Sequence, residues 1–415
     1  MSPAGPSGTD HPPRLWPVIC LGVIGHTAFS ASRMTVSLAA ISLQASAFVV
    51  GLLLSLYALL PMLLSVSAGR WIDRVGTRVP MLLGSAVVAV GFVLPAIWLS
   101  LPALFLNSLL VGTGFMFFHM AVQKLTGDLG EGAQRMRHFG HLAVGYSVSA
   151  FCGPVLAGLL IDRWGAGSSF GASFAASTLL IAAAFALLRW RWTFSGQASR
   201  VAPAQARRGR LLDLLASRPL RLLFLSVVVT STVWDVHMFL TPIQGSRIGL
   251  SASQIGAVLG AFSAATFTVR LSLPLISRRL REWQLIGVAQ LVAAAVFLVF
   301  PLVTSFWGLM GLSFLLGLGL GVGQPAVMSL LHEVSPAGRV GEAVGLRMSL
   351  VNGTQVVLPT LFGVVGTLLA SVMGGALAYA PLFWCVSVGA VAGGLTALRQ
   401  RTQRGDPVDP PAASG

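Results

Sequence analysis

The chain has 415 residues, 55% of them hydrophobic and only 9% charged, with a mean hydropathy of +0.82. A soluble domain carries about 25% charged residues, so composition alone places this chain in a membrane. The formal charge of +15 does not mark a nucleic-acid binder, because the basic residues fall in short segments between apolar runs and build no basic domain.

Residues 1–14 are rich in Pro and Gly and precede an apolar run that has no small-residue cleavage site. They read as a short tail ahead of a retained helix. A helix that crosses hydrocarbon needs about 20 apolar residues. Twelve runs qualify: 15–41, 47–68, 79–97, 101–123, 139–161, 168–190, 219–245, 252–276, 284–303, 306–331, 344–369 and 373–397. The longest polar interruption, 191–218, carries Arg200, Arg207, Arg208 and Arg210 with almost no acid. It divides the chain into a first group of six helices (15–190) and a second (219–397), with a polar tail at 398–415. The expected fold is therefore all-α and polytopic, with 12 transmembrane helices in two six-helix bundles.

Placing the N-terminus in the cytoplasm puts 22 of the 27 basic residues on that side. Arg163 and Arg247 fall on the other side, and Arg33, Arg270 and Arg347 fall inside helices. This asymmetry predicts that both termini and the central segment face the cytoplasm of a bacterial inner membrane. Cys20, Cys152 and Cys385 all lie in apolar runs, with no metal-ligand spacing and no disulfide framework.

The two groups repeat. A shift of 205 residues pairs Gly51 with Gly256, Gly112 with Gly317, Gly114 with Gly319, Gly140 with Gly345, Pro154 with Pro359 and Gly158 with Gly363. Small residues let helices approach closely where lipid supplies no hydrophobic drive. The tenth run adds Gly321 and Gly323. That density suits either close packing or bending.

Between the second and third runs lies Gly-Arg-Trp-Ile-Asp-Arg-Val-Gly-Thr-Arg, Gly69–Arg78. So polar a stretch reads as an aqueous turn. Gly69, Asp73, Arg74, Gly76 and Arg78 match the signature loop Gly-x-x-x-Asp-Arg-x-Gly-x-Arg, with Thr77 and Trp71 departing from the usual residues. With twelve runs, a central basic segment and an internal repeat, the chain resembles the major facilitator superfamily. The resemblance implies secondary transport by alternating access, with a central cavity lined mainly by helices 1, 4, 5, 7, 8, 10 and 11. It also implies that the loop latches the cytoplasmic side, with Asp73 serving a helix N-terminus. The equivalent second-half loop has Arg278 and Arg279 where Asp73 and Arg74 stand. Gly153, Pro154 and Gly158 resemble the fifth-helix element of drug/proton antiporters, whereas Asn107–Ser108 occupies the place of their fourth-helix Arg.

Charge in mid-membrane is costly and invites a functional reading. Asp235 is the only acid in the middle of a run, beside Trp234 and His237, and is the leading proton carrier. The repeat places Arg33 level with Met238, so Arg33 is its expected counter-charge across the cavity. Arg270 either faces the cavity or snorkels, and Arg347 is expected at an interface. His26, His119 and His141 have no metal spacing and suggest a polar first-half cavity. Gln244, Gln324, Asn352 and Gln355 are candidate neutral ligands; Asn352 and Gln355 share a helix face.

No nucleotide-binding loop is possible with Lys124 as the only Lys, and no nucleophile–base motif appears. The expectation is a monomeric secondary transporter with no cofactor, driven by a proton gradient, in contact with lipid and a small solute. An excess of cations over acids in the cavity favours an organic anion. A drug/proton antiporter is the alternative, and a non-transporting receptor on the same fold is a third reading.

Overall fold

The computed structural model describes residues 15–129, 132–189, 211–276, 280–336, 339–373 and 378–400, with a few helical side chains, Asp73 among them, outside that description. The first bundle comprises α1 (Leu15–Ser42), α2 (Ala47–Val75), α3 (Arg78–Ile97), α4 (Leu101–Asp128), α5 (Gly132–Trp164) and α6 (Ala166–Arg189). The second comprises α7 (Arg218–Arg247), α8 (Ala252–Ile276), α9 (Glu282–Val299), α10 (Phe306–Gly321), α11 (Gly323–Val334), α12 (Val340–Met373) and α13 (Ala380–Leu398). Among the described residues, eleven segments are long and apolar enough to cross a membrane, α10 and α11 together forming one of them. With α6 they make the twelve crossings that the hydropathy pattern predicts.

Four departures from the expectation bear on the site. α2 runs through Trp71 to Val75, so the signature stretch is mostly helix and the turn is only Gly76–Thr77. Gly76 ends α2 at φ +79°, a conformation that favours glycine, and its N–H bonds the Ile72 carbonyl at 2.9 Å. Arg74 and Arg78 flank the turn and are exposed. The expected role of the Asp73 carboxylate, and that of Arg278 and Arg279, lies outside the described residues. α12 begins at Val340, which puts Arg347 two turns inside the helix rather than at its start. The tenth crossing breaks at Val322, because Pro325 has no N–H for the Gly321 carbonyl. Finally, Leu211–Ala216 is a 3-10 turn that buries Leu214 against Leu220 and Leu223, so the expected linker is partly folded onto the second bundle.

We call distal the end where α1 finishes, and proximal the end where it starts. Four of the distal turns lead into a helix whose first turn is capped by a serine. Ser46, Ser100 and Ser305 accept the N–H of Val49, Ala103 and Gly308, and Ser251 accepts that of Gln254 at 3.3 Å. Ser46 and Ser251, like Ser100 and Ser305, are 205 apart, so the repeat extends to the caps.

The repeat is written into the packing. A Cβ on Gly112 would strike the Tyr57 carbonyl, and one on Gly317 that of Phe262, the residue 205 further on. These contacts join α4 to α2 and α10 to α8. The bundles meet by the same rule. A Cβ on Gly51 would meet the Pro359 carbonyl, and one on Gly256 the Pro154 carbonyl. Gly363 packs on Ala47, and Gly158 on Ala252. Thus α2 lies against α12 and α5 against α8, related by a pseudo-twofold. Gly153 instead seats α5 on α1, against Ser30 and Ala31. Gly140 and Gly345, on the proximal turns of α5 and α12, both face open space.

Candidate functional site

Four hydrogen-bonded links close the distal end between the bundles. The Asp162 carboxylate, at the end of α5, accepts the backbone N–H groups of Ala252 and Ser253 at 2.8 Å each, and the Ser253 hydroxyl. It therefore caps α8 from across the interface. Thr367 stands 205 residues later and accepts the N–H of Phe48, the mate of Ser253, at 3.0 Å. The second bundle thus caps the first with a neutral hydroxyl where the first caps the second with a charge. Deeper, Ser55 and Thr360 bond hydroxyl to hydroxyl at 2.8 Å, and Ser263 bonds the Ala150 carbonyl at 3.0 Å.

Arg270 is the most proximal of these links. Its guanidinium donates to the Ser147 hydroxyl at 3.1 Å and to Gln324 Oε1 at 3.4 Å. It faces the seam between α5 and α11 and does not snorkel away.

Asp235 is buried on α7 and accepts the Thr354 hydroxyl of α12 at 3.2 Å. Arg33, on α1, lies within electrostatic range of Asp235 and Tyr57 but makes no side-chain hydrogen bond or ion pair among the described residues. The expected pair therefore shares one electrostatic environment without touching. Thr354, flanked by Asn352 and Gln355 on α12, is the direct partner. Asn352 and Gln355 are half-buried and make no side-chain hydrogen bond among the described residues.

His237 points the other way. Its ring packs on Phe262 at 4.7 Å and its Nε2 bonds Ser313 at 2.9 Å, inside the second bundle. Gln244 is buried further along the same face of α7, with neither amide atom partnered. Of the three first-half histidines, His26 and His119 come together around Tyr146, at ring separations of 4.8 and 5.0 Å. His141 is apart from them, exposed and packed on Trp16 at 5.3 Å. Among the described residues no three His, Cys, Asp or Glu gather as a metal site.

The place of the missing fourth-helix Arg is held by a neutral knot. Asn107 is fully buried, accepts the Tyr57 hydroxyl at 3.1 Å and donates to the Gly91 carbonyl at 2.8 Å. Ser32 bonds the same hydroxyl. Sequence reasoning missed Thr354, Ser147, Tyr57 and Tyr146. Only the tyrosines carried a signal: the chain has 23 Phe and 3 Tyr, so its hydroxylated rings are reserved positions.

The comparisons with known proteins agree with this architecture. The chain is 30% identical over 323 residues to the tetracycline resistance protein, class G, of Vibrio anguillarum, covering 75% of this chain and 79% of that one. It is 22% identical over 344 residues to multidrug resistance protein 1 of Bacillus subtilis, covering 81% and 82%. Among solved structures, a peptide transporter of the POT type superposes with a TM-score of 0.74 at 16% identity, covering 95% of both chains, which shows the shared fold. The profile of the Major Facilitator Superfamily matches residues 18–359 and 223–414. Profile, repeat and fold together establish that the chain belongs to the Major Facilitator Superfamily and is a multi-pass secondary transporter.

Proposed function

We propose that this transporter exchanges protons for an amphipathic, ring-bearing small molecule and works as an exporter. The carrying observation is Asp235: a buried carboxylate held by one hydroxyl, with a guanidinium in reach but not in contact. Such a group can gain or lose a proton without breaking an ion pair, which would be expensive at this depth. Antiport requires that proton and substrate exclude each other. A substrate donor group bound to ionised Asp235 meets that condition, and Arg33 is placed to take an acidic oxygen of the same molecule. The names of the relatives, tetracycline and multidrug resistance proteins, support a drug-like substrate.

The distribution of basic residues supports a bacterial inner membrane with the proximal end in the cytoplasm. In that orientation the structure is closed outward, by the Asp162 and Thr367 caps, and turns its proximal side to the cytoplasm. We read the chain as a monomer in the lipid bilayer, driven by the proton gradient without a cofactor, and as a transporter rather than an enzyme.

Symport of an organic anion with a proton is the second reading, favoured by the unpartnered Arg33. Proteoliposomes with an imposed pH gradient separate the two, with tetracycline as first probe. Export by antiport predicts tetracycline flux against the direction of proton flow; symport predicts flux with it. Asp235→Asn is expected to abolish concentration against a gradient while exchange between equal pools persists. A variant that concentrates the probe as well as the parent makes Asp235 structural and ends this reading.

A further inference from the structure

The first bundle holds a circuit of rings that the transport mechanism above does not use. His26 on α1, Phe115 and His119 on α4 and Tyr146 on α5 form a closed loop. Successive centroids lie 5.8 Å (His26–Phe115), 5.2 Å (Phe115–His119), 5.0 Å (His119–Tyr146) and 4.8 Å (Tyr146–His26) apart. Phe29 extends the loop by stacking on Phe115 at 4.0 Å and 13°. All five rings are half-buried, whereas Phe118, Val122 and Leu142 behind them are fully buried. The rings are therefore the surface layer of the bundle and not its core. His26, Ser30 and Arg33 share one face of α1, so the ring layer and Arg33 lie along the same side of that helix.

Two polar atoms in the circuit have no hydrogen-bonding partner among the described residues, the Tyr146 hydroxyl and His119 Nδ1. The Gln123 amide nitrogen lies 2.6 Å from His119 Nε2, so Nε2 accepts and the proton of the neutral ring sits on Nδ1. Both orphan groups are thus hydrogen-bond donors. Buried donors without acceptors are costly, and a ligand oxygen relieves that cost. The helices that carry the rings supply no acid beside them: α1 has none, α4 has only Asp128 in its last turn, and α5 only Asp162 at its distal end. The nearest formal charge along α1 is Arg33, which is positive.

We propose that this ring circuit seats the planar ring system of the substrate, and that its two free donors select rings edged with phenol, enol or carboxylate oxygens over saturated or cationic compounds. The seat deepens the transporter reading and rests on it. Flat rings stack on the half-buried aromatic faces, a contact worth a sizeable affinity without any ion pair. The polar rim of the ligand then reaches the Tyr146 hydroxyl, His119 Nδ1–H and, one turn beyond Phe29, Arg33.

The test is equilibrium binding to the full chain in detergent, without any gradient, by calorimetry. The probes are 3-hydroxy-2-naphthoate, cyclohexanecarboxylate and ethidium. The seat predicts that the naphthoate binds at least tenfold tighter than the other two. Tyr146→Phe keeps the ring and removes one donor, so naphthoate affinity should fall roughly five- to tenfold with melting temperature unchanged. Phe115→Leu should weaken it further by removing the stacking face. Equal binding of cyclohexanecarboxylate, tighter binding of ethidium, or a Tyr146→Phe protein that binds the naphthoate like the parent would each overturn the proposal. Binding without pH-coupled flux would sink the coupling reading alone; coupled flux of another probe without naphthoate binding would sink the seat alone.

Discussion

Asp162 offers the sharpest test of how the outward side closes. Asp162→Ala removes one acceptor group that serves two backbone N–H groups at the start of α8 and the Ser253 hydroxyl. Losing an N-cap costs about 1 kcal/mol, within a range of roughly 0.5–2. Losing a negative charge at a helix N-terminus adds about 0.3–1 kcal/mol. Asp162 is exposed, so solvent screening favours the low end of both. Because these bonds exist only while the bundles touch distally, about 0.8–1 kcal/mol is lost from the closed state alone. At 1.4 kcal/mol per decade, the closed-to-open ratio should fall roughly four- to fivefold. Spin labels at Ile97→Cys and Leu302→Cys report it, since these exposed positions are 205 apart at the distal ends of the two bundles. A cysteine-free background is needed at Cys20, Cys152 and Cys385. The distance distribution should gain a longer component in Asp162→Ala, a smaller one in Asp162→Asn, and the smallest in Thr367→Val, which removes a single neutral acceptor. An unchanged distribution in Asp162→Ala, or a larger shift in Thr367→Val, would refute the reasoning.

Other expectations follow from single contacts. Arg399→Cys should react with membrane-impermeant thiol reagents only in inverted vesicles; labelling in intact cells would reverse the orientation. Gly256→Val should block distal closure, because its side chain would strike the Pro154 carbonyl, and should lengthen the same label distance without loss of insertion. His237→Leu strands the Ser313 hydroxyl, at a cost of about 1–3 kcal/mol, so melting temperature should drop. Its pH-driven flux should stay within about twofold of the parent once folded protein is matched, and a selective loss of coupling would restore His237 as a proton carrier.

The number of crossings, their order and the 205-residue repeat were legible in the chain alone. Each depends on local properties: the length of an apolar run, the recurrence of glycine and proline, the confinement of Arg to short segments. The glycine pairs even anticipated the contacts, since Gly51 and Gly256 prove to pack on Pro359 and Pro154, themselves a repeat pair. What escaped was the direction in which each helix turns. In a soluble protein the apolar stripe reveals the buried face, but a lipid-facing helix is apolar all round, so periodicity says little. Hence Asp235 and His237, two residues apart, were read together although one faces the α12 hydroxyl and the other the core of its own bundle. Arg33 and Asp235 were placed at one depth, yet whether they touch depends on the gap between the bundles. The signature loop shrank to Gly76–Thr77 because a polar sequence continues a helix freely once that helix has left hydrocarbon. Asp162 carries no signal of its own in the sequence, and became a link only when packing brought the start of α8, some 90 residues later, beneath it. Composition determines what can cross a membrane; which polar group meets which is decided by the rotation of each helix, and only the assembled bundles set that.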